Sequence, residues 1–517
     1  MARIITALRE QRQIEAEITG LVSSRTQAEF DERARRIVSR EQALPALLNS
    51  LNSADARLLG VLGSLATLMD REVVVNALYR AAVDHRRSKR GRLIALLILE
   101  RFLGEELGEE LFEGLEDPQE LTIQSLLSEV EEKETGRLAL LDLVRSLAEQ
   151  PPEVALSVID TLVKLNTPVA VEPLRVLAQD PRDEVAGRAV RALSAMPYPQ
   201  VGRTLQILNQ VSSPAAQREV ERALRKQRLR GLDLEPLPQP DGTWRTLVSA
   251  VDGQGNQSVW FLGQADADGT CRLLILAIND EAGLADALGD EHAPANDLPT
   301  RQPTGTVHEY SPGNGSILRL LEADFEYGRR LVGEAQARNL RAGIPTPMVY
   351  RLLNDFIWGY QIAPGAAEPL MPSCAGSGTL APLAESGRLL DHPDFATWFV
   401  HHPAVYNLAA PLCQWRHPQH TTLWREAVRR LVESHFDERM RSVYRTRLRA
   451  MAEWLTRAGD EDTACLALVA AEGLTQVSPL EHPLLVRMVE VGLWVAIRNF
   501  QHGLDPRTIS GLSVAGM

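Results

Sequence analysis

The chain has 517 residues, of which 44% are apolar and 24% are charged, and its formal net charge is −13. A chain of this length is expected to form about two to four domains, each with enough apolar residues for its own core. It has no run of 18 apolar residues and no signal-peptide pattern, so the sequence predicts no transmembrane helix and no membrane partner. The four cysteines form no CxxC pair, which favours structural thiols in a reducing cytoplasm.

Three sets of apolar or small residues recur at intervals of 31 residues between 154 and 224. Their spacing of i, i+4, i+7, i+8 places each set on one face of a helix. Asp180-Pro181 interrupts the second unit, because proline cannot continue a helix. The repeating unit is therefore predicted to be helix, turn, helix. The sets are Val154, Val158, Thr161 and Leu162; Val185, Ala189, Ala192 and Leu193; and Ala216, Val220, Ala223 and Leu224.

The stretch VEPLRVLAQDPRDEVAGRAVRALSAM (171–196) resembles a HEAT repeat, with a first helix, an Asp-Pro turn and a second helix with V-x-x-x-A-V-x-A-L. The resemblance is best over 150–227 and extends loosely over 1–230. It implies an α-solenoid, in which stacked helix pairs share a core and expose a long surface. It also implies a scaffold for a protein or nucleic-acid partner, or an accessory part of an enzyme.

Two charged clusters lie in this helical region. Five bases, at a predicted helix junction, fall within seven residues, and residues 105–134 contain 12 acids and one base. An acidic block is typical of a solvated helical face, and a docking surface for a basic partner is the alternative. The basic cluster also has two possible interpretations, a salt-bridged surface or an anion-binding surface. Its members are Arg86, Arg87, Lys89, Arg90 and Arg92.

After a predicted linker at 231–242 the pattern changes, and 243–360 is predicted to be a small α+β domain built on an antiparallel meander. Asp- and Gly-rich turns separate the first strands. The predicted strands lie near 244–251, 257–264, 270–278 and 305–310. The predicted helices lie at 281–289, 316–341 and 346–359.

Residues 361–387 are rich in Ala, Pro, Gly and Ser and predict a flexible linker. A helical domain is expected at 388–503, followed by a tail at 504–517. The predicted fold class is therefore mainly α, with an N-terminal HEAT-like helical repeat, the small α+β domain and a C-terminal helical domain.

Four His-Pro pairs occur in the C-terminal region, and each opens a stretch with helical periodicity. Proline is favoured in the first turn of a helix, and the residue before it is kept out of the helical conformation. The pattern therefore predicts helix starts. The pairs begin at His392, His402, His417 and His482.

The segment HHPAVYNLAAPLCQWRHPQH (401–420) contains four histidines and a cysteine. Cys413, His417 and His420 place three zinc-compatible donors within eight residues. The His-Pro interpretation accounts for most of this histidine density, and neither CxxC nor HExxH occurs. A metal-dependent enzyme centred on 401–420 remains an alternative, and no cofactor is otherwise predicted.

Residues 416–449 contain nine arginines and four acids. Arg441, Arg445 and Arg449 share one i, i+4 column of a predicted helix, with Asp437 and Glu453 at its ends. The column is predicted to be a salt-bridged face or a contact for the acidic block. The alternative is an anion-binding surface for nucleic acid.

Because no catalytic constellation is recognisable, the leading hypothesis is a non-catalytic interaction scaffold or adaptor that binds a protein partner through the helical repeat. The alternatives are a nucleic-acid-associated protein that uses the arginine clusters and the metal-dependent enzyme.

Overall fold

The computed structural model is mainly helical and contains one antiparallel six-stranded sheet, which confirms the predicted class at that level. The chain divides into two compact units, Met1–Val201 and Gly202–Met517. In the part of the chain that is described, no helix is long and apolar enough to cross a membrane. The structure describes residues 2–21, 27–52, 56–108, 111, 115, 120, 123, 124, 126, 127, 130, 136–229, 234–240, 242–311, 317–362, 368–374, 383–505 and 507.

Several predicted segments fall partly outside these residues. They are most of the acidic block 105–134, most of the tail 504–517, and parts of the linkers 231–242 and 361–387.

The first unit consists of helices, and one apolar core joins the first six of them. Side-chain caps fix two of these helices, because Asp70 accepts from the N–H of Val73 and Ser88 from that of Gly91. The helices are α1 (Ala2–Gly20), α2 (Gln27–Val38), α3 (Ala43–Ser50), α4 (Ala56–Leu68), α5 (Arg71–Val83), α6 (Lys89–Arg101), α7 (Leu140–Glu149), α8 (Pro152–Leu165), α9 (Val171–Leu177) and α10 (Asp183–Ala195).

Helices α7 to α10 form two successive pairs, with α8 beside α10. Three hydrogen bonds in this region share one sequence separation. Arg182 donates to the carbonyl oxygen of Gln150 at 2.9 Å, 32 residues away. The Tyr198 hydroxyl donates to Asn166 and Gln200 donates to Pro168, each also 32 residues away. This separation is close to the 31-residue interval of the sequence pattern.

The repeating face is buried in the first unit with one exception. Val185 is fully buried on α10, whereas Val154 on α8 is 38% exposed and the neighbouring Ala155 is buried. The predicted burial of Val154 is therefore wrong. The buried face of α8 follows i, i+3, i+4, i+7 from Ala155, so Ala155 takes the place of Val154 while Val158, Thr161 and Leu162 are buried.

The second unit contains the sheet, whose strand order is β4-β3-β2-β1-β6-β5 with every neighbouring pair antiparallel. The first three predicted strands and the strand at 305–310 are present. The strands are β1 (Arg245–Ser249), β2 (Asn256–Leu262), β3 (Thr270–Asn279), β4 (Gly283–Pro294), β5 (Val307–Tyr310) and β6 (Leu318–Ala323).

The helix predicted at 281–289 is wrong, because this segment belongs to β4. Leu284 and Leu288 have a spacing that fits a helix, but β4 pairs with β3 along most of its length. Gly283, with φ +82, makes the tight turn between the two strands. Tertiary pairing thus overrides the local pattern.

The helix predicted at 316–341 begins too early. Its first part is β6, which pairs with both β1 and β5, and Asp324 then caps the helix that starts at Phe325. Helix α11 (Gln200–Val211) starts two residues before the second unit begins. The other helices of the second unit are α12 (Pro214–Leu229), α13 (Phe325–Ala342), α14 (Met348–Leu353), α15 (Asp355–Trp358), α16 (Pro403–Ala409), α17 (Thr422–His435), α18 (Glu438–Arg457), α19 (Glu461–Gln476) and α20 (Pro483–Gln501).

The C-terminal helices contact the sheet directly through α18. The indole N–H of Trp454 donates to the carbonyl oxygen of Val248 at 2.9 Å. Arg447 forms a bidentate pair with Asp280 and donates to Gly253 at 2.6 Å. Within the second unit, the predicted α+β region and the predicted C-terminal helical region therefore pack together.

Candidate functional site

The basic cluster at 86–92 spans the junction of α5 and α6, with Lys89, Arg90 and Arg92 in the first turn of α6. Arg87 Nη1 donates to the carbonyl oxygen of Leu48 at 2.6 Å, and Arg92 Nε donates to that of Ala82 at 2.7 Å. These bonds fix the helix junction and use two of the cluster's cations for the fold. The other bases are Arg86 and Lys89, which are exposed, and Arg90, which is half-buried.

Two acids of the predicted acidic block 105–134 pair with bases of the same unit. Glu105 lies 2.8 Å from a guanidinium nitrogen of Arg71, and Glu120 lies 2.5 Å from Lys164 Nζ. The rest of the block lies largely outside the described residues. These two carboxylates act within the unit.

The arginine column of α18 faces α19. Arg445 forms a 2.6 Å ion pair with Glu472, and Arg449 lies 3.6 Å from the same carboxylate. Arg441 donates to the carbonyl oxygen of Leu474 at 3.3 Å. The column therefore carries ion pairs, as the sequence predicts. The acid in these pairs is Glu472, which lies on the neighbouring helix α19.

The two acids that flank this column have other partners. Asp437 caps α18 by accepting from the N–H of Met440 at 2.8 Å. Glu453 is buried and accepts from Arg330 at 2.5 Å and from Arg457 at 3.2 Å. The charge that offsets the column therefore comes from α19, because the fold places Asp437 and Glu453 against other groups.

The three candidate metal ligands do not converge. The Cys413 thiol donates to the carbonyl oxygen of Ala409 at 3.4 Å. Burial raises the pKa of the Cys413 thiol, which disfavours the thiolate that a metal or an electrophile would need. Among the described residues, no group of three or more His, Cys, Asp or Glu is placed to hold a metal ion.

The His-Pro prediction is confirmed for His402 and His482, whose prolines begin α-helices, and only in part for His392 and His417, whose prolines begin a 3₁₀ turn. Each proline begins a helix or a single 3₁₀ turn, and two of the histidines also cap it through the ring. Nδ1 of His392 accepts from the N–H of Asp394 at 3.3 Å, and Nδ1 of His402 accepts from that of Ala404 at 3.2 Å. The α-helices begin at Pro403 and Pro483, and the 3₁₀ turns begin at Pro393 and Pro418.

Buried ion-pair networks were missed by the sequence reasoning. Besides Glu453, Glu322 is 3% exposed and accepts from Arg245 at 2.6 Å, with His308 Nε2 at 2.8 Å. These groups join β1, β5 and β6. Their partners lie 77 and 14 residues away, so no local pattern marks them. Chemically, the networks neutralise charge within the fold.

A disulfide connects Cys374 and Cys465. The expectation of four free structural thiols is therefore wrong for these two residues, while Cys271 and Cys413 are free. The sequence could not show the pair, because its members lie 91 residues apart and meet only after folding.

The chain matches no known protein-family model, no curated protein and no solved structure. The HEAT-like assignment consequently stays a prediction from the sequence pattern. Function has to be proposed from this chain's own geometry.

Proposed function

We propose that this protein is a non-catalytic interaction scaffold or adaptor that binds a protein partner through a HEAT-like helical repeat. The observation that supports this function best is the set of three hydrogen bonds around the helix pairs of α7 to α10, which share a separation of 32 residues. Regular stacking of this kind gives an extended surface for a partner. The proposal includes a HEAT-like repeat over 1–230, followed by α+β and C-terminal helical domains, and a cytoplasmic location.

The surface chemistry of α8 and α10 suits a polypeptide partner. Val163 on α8 is 38% exposed and lies three residues, less than one helical turn, from Asp160. Between the two helices, Arg188 Nε donates to Asp160 at 3.0 Å, and both side chains remain largely exposed. Apolar contacts beside charged groups are the usual composition of a protein–protein interface.

The alternatives draw on fewer available groups. Arg441, Arg445 and Arg449 face α19, which leaves less of the column for nucleic acid. In the metal-enzyme alternative, Cys413 would have to ionise although burial raises its pKa. The scaffold is therefore the function to test first, with nucleic-acid capture as a separate outcome.

The first experiment is affinity capture with the full chain in its native host, with bound proteins identified by mass spectrometry. We expect a stoichiometric protein partner. The substitution Val163→Asp should lower its retention about tenfold or more, since a loss of about 1.4 kcal/mol is tenfold in affinity.

The matched control is Val83→Asp, because Val83 is 53% exposed and lies on α5, outside α7 to α10. Circular dichroism should show that all variants keep their helical content. Equal retention by Val163→Asp and the wild type would contradict the proposed surface. Capture of nucleic acid alone, with steep salt dependence, would favour the nucleic-acid alternative.

A further inference from the structure

A short segment of the second unit is fastened to the C-terminal helices by a disulfide. We call residues 368–374 the strap. Cys374 ends the strap, and Cys465 lies on α19 with its Cα 5.7 Å from that of Cys374. This distance is within the usual range for a disulfide, so the fold holds the two cysteines in bonding position.

Among the described residues, the strap has two further contacts with the fold besides the disulfide. The N–H of Leu370 donates to Glu453 Oε1 at 3.2 Å, and Pro372 is buried. The Leu370 side chain is 48% exposed, and the strap residues form no helix or strand. The disulfide is therefore the covalent link that holds Cys374 of the strap to α19.

The two sulfur atoms belong to residues that are only half-buried. The other two cysteines are less reactive. Cys271 is 6% exposed, and burial raises the pKa of its thiol as it does for Cys413. Thiol–disulfide exchange is therefore directed to Cys374 and Cys465.

We propose that Cys374 and Cys465 form a reversible thiol–disulfide switch that fastens the strap to α19 when oxidised and releases it when reduced. This inference does not depend on the proposed scaffold function. On release, the Leu370 N–H leaves Glu453, and the part of α19 around Cys465 becomes accessible.

The exchange balances with a low-molecular-weight disulfide such as glutathione disulfide as the oxidant. One protein thiolate attacks a sulfur of the small disulfide, whose S–S bond breaks to release one small thiol and leave a mixed disulfide. The second protein thiolate attacks the protein sulfur of that mixed disulfide and releases the second small thiol. The protein loses two electrons and two protons, which leave with the two small thiols, and two small thiols reverse the reaction.

The test equilibrates the native full chain in glutathione buffers of increasing reduced-to-oxidised ratio, followed by acid quenching, alkylation and mass spectrometry. We expect one cross-link, between Cys374 and Cys465, that falls from nearly complete to nearly absent across the series. Hydrogen exchange should show that the Leu370 amide exchanges roughly tenfold faster or more after reduction.

Cys374→Ser, on the exposed strap, should give fast exchange at Leu370 in every buffer, and Cys465→Ser should do the same. Cys413→Ser is the matched control and should behave as the wild type. Three results would each overturn the proposal: no cross-link in any buffer, a cross-link that persists in the most reducing buffer, or unchanged strap exchange after reduction.

Discussion

Buried histidines of the second unit serve the fold as neutral rings. His482 is fully buried at the start of α20, with Nε2 3.0 Å from the carbonyl oxygen of Ala470. Burial lowers the pKa of its imidazole, because the apolar surroundings penalise the charged form more than the bond to Ala470 favours it. The neutral ring therefore donates its Nε2 proton to Ala470.

We expect the second unit to become less stable as the pH falls below 6.5, the ordinary pKa of histidine. The folded pKa of His482 is below the unfolded value, so the unfolded chain takes up the proton first. His482 therefore contributes its full stability above the unfolded pKa and loses it as the pH falls. Urea unfolding followed by tryptophan fluorescence from about pH 8 to pH 5 measures this trend.

The control is His482→Gln, which replaces the imidazole by an amide that does not titrate. Burial also lowers the pKa of His435, so some pH dependence should remain in the variant. The difference between the wild type and the variant in the slope of unfolding free energy against pH gives the contribution of His482. Equal slopes for the wild type and the variant would refute its role.

Which residues could be assigned from the sequence depended on how far apart their partners lie. The His-Pro pairs at His402 and His482 correctly predict helix starts, because each histidine and the helix it opens are adjacent in the chain. The disulfide spans 91 residues and the Arg330–Glu453 pair spans 123. Such contacts depend on how whole segments fold together, which no local spacing encodes.

At the scale of elements, β4 is an edge strand whose start is held by a side chain of a helix. Asn339 on α13 is fully buried, and its Oδ1 accepts from the N–H of Leu284 at 2.6 Å. Its Nδ2 donates to the carbonyl oxygen of Leu284 at 3.2 Å. One amide thus takes the place of a further strand at this position.

We expect Asn339→Ala to destabilise the second unit by about 2–4 kcal/mol, because it leaves the N–H and C=O of Leu284 buried without partners. Urea unfolding followed by tryptophan fluorescence gives the change in free energy. Asn407→Ala, at an exposed helical asparagine of the same unit, should cause little change. A loss at Asn339 no larger than at Asn407 would show that the paired bonds do not stabilise β4.

The elements that were predicted correctly had patterns that agreed with their final environment. Strands β1 to β3 are separated by Asp- and Gly-rich turns, which mark their ends in the sequence. The 31-residue interval marks the paired helices. The prediction for the β4 segment is wrong because its apolar spacing favours a helix. The pairing of β4 with β3 and its bonds to Asn339 are non-local and are not visible in that spacing.

At the scale of the whole molecule, the two units differ in what they contain. The boundary falls near the start of α11, at 201–202, whereas the predicted linker at 231–242 lies within the second unit. All eight tryptophans and both disulfide cysteines belong to the second unit. Tryptophan fluorescence therefore reports the second unit alone, while helical circular dichroism reports both.

We expect reduction to shift only the fluorescence transition in urea unfolding. The disulfide restricts the unfolded second unit across a separation of 91 residues, which stabilises the folded state by up to about 4–5 kcal/mol. The first unit has no such bond among its described residues, so its share of the circular dichroism signal should keep its midpoint. Cys374→Ser should remove the effect of reductant on fluorescence. Coincident fluorescence and circular dichroism curves that shift together would mean that the units unfold as one cooperative body, because a bond confined to one of two independent units can stabilise only that unit.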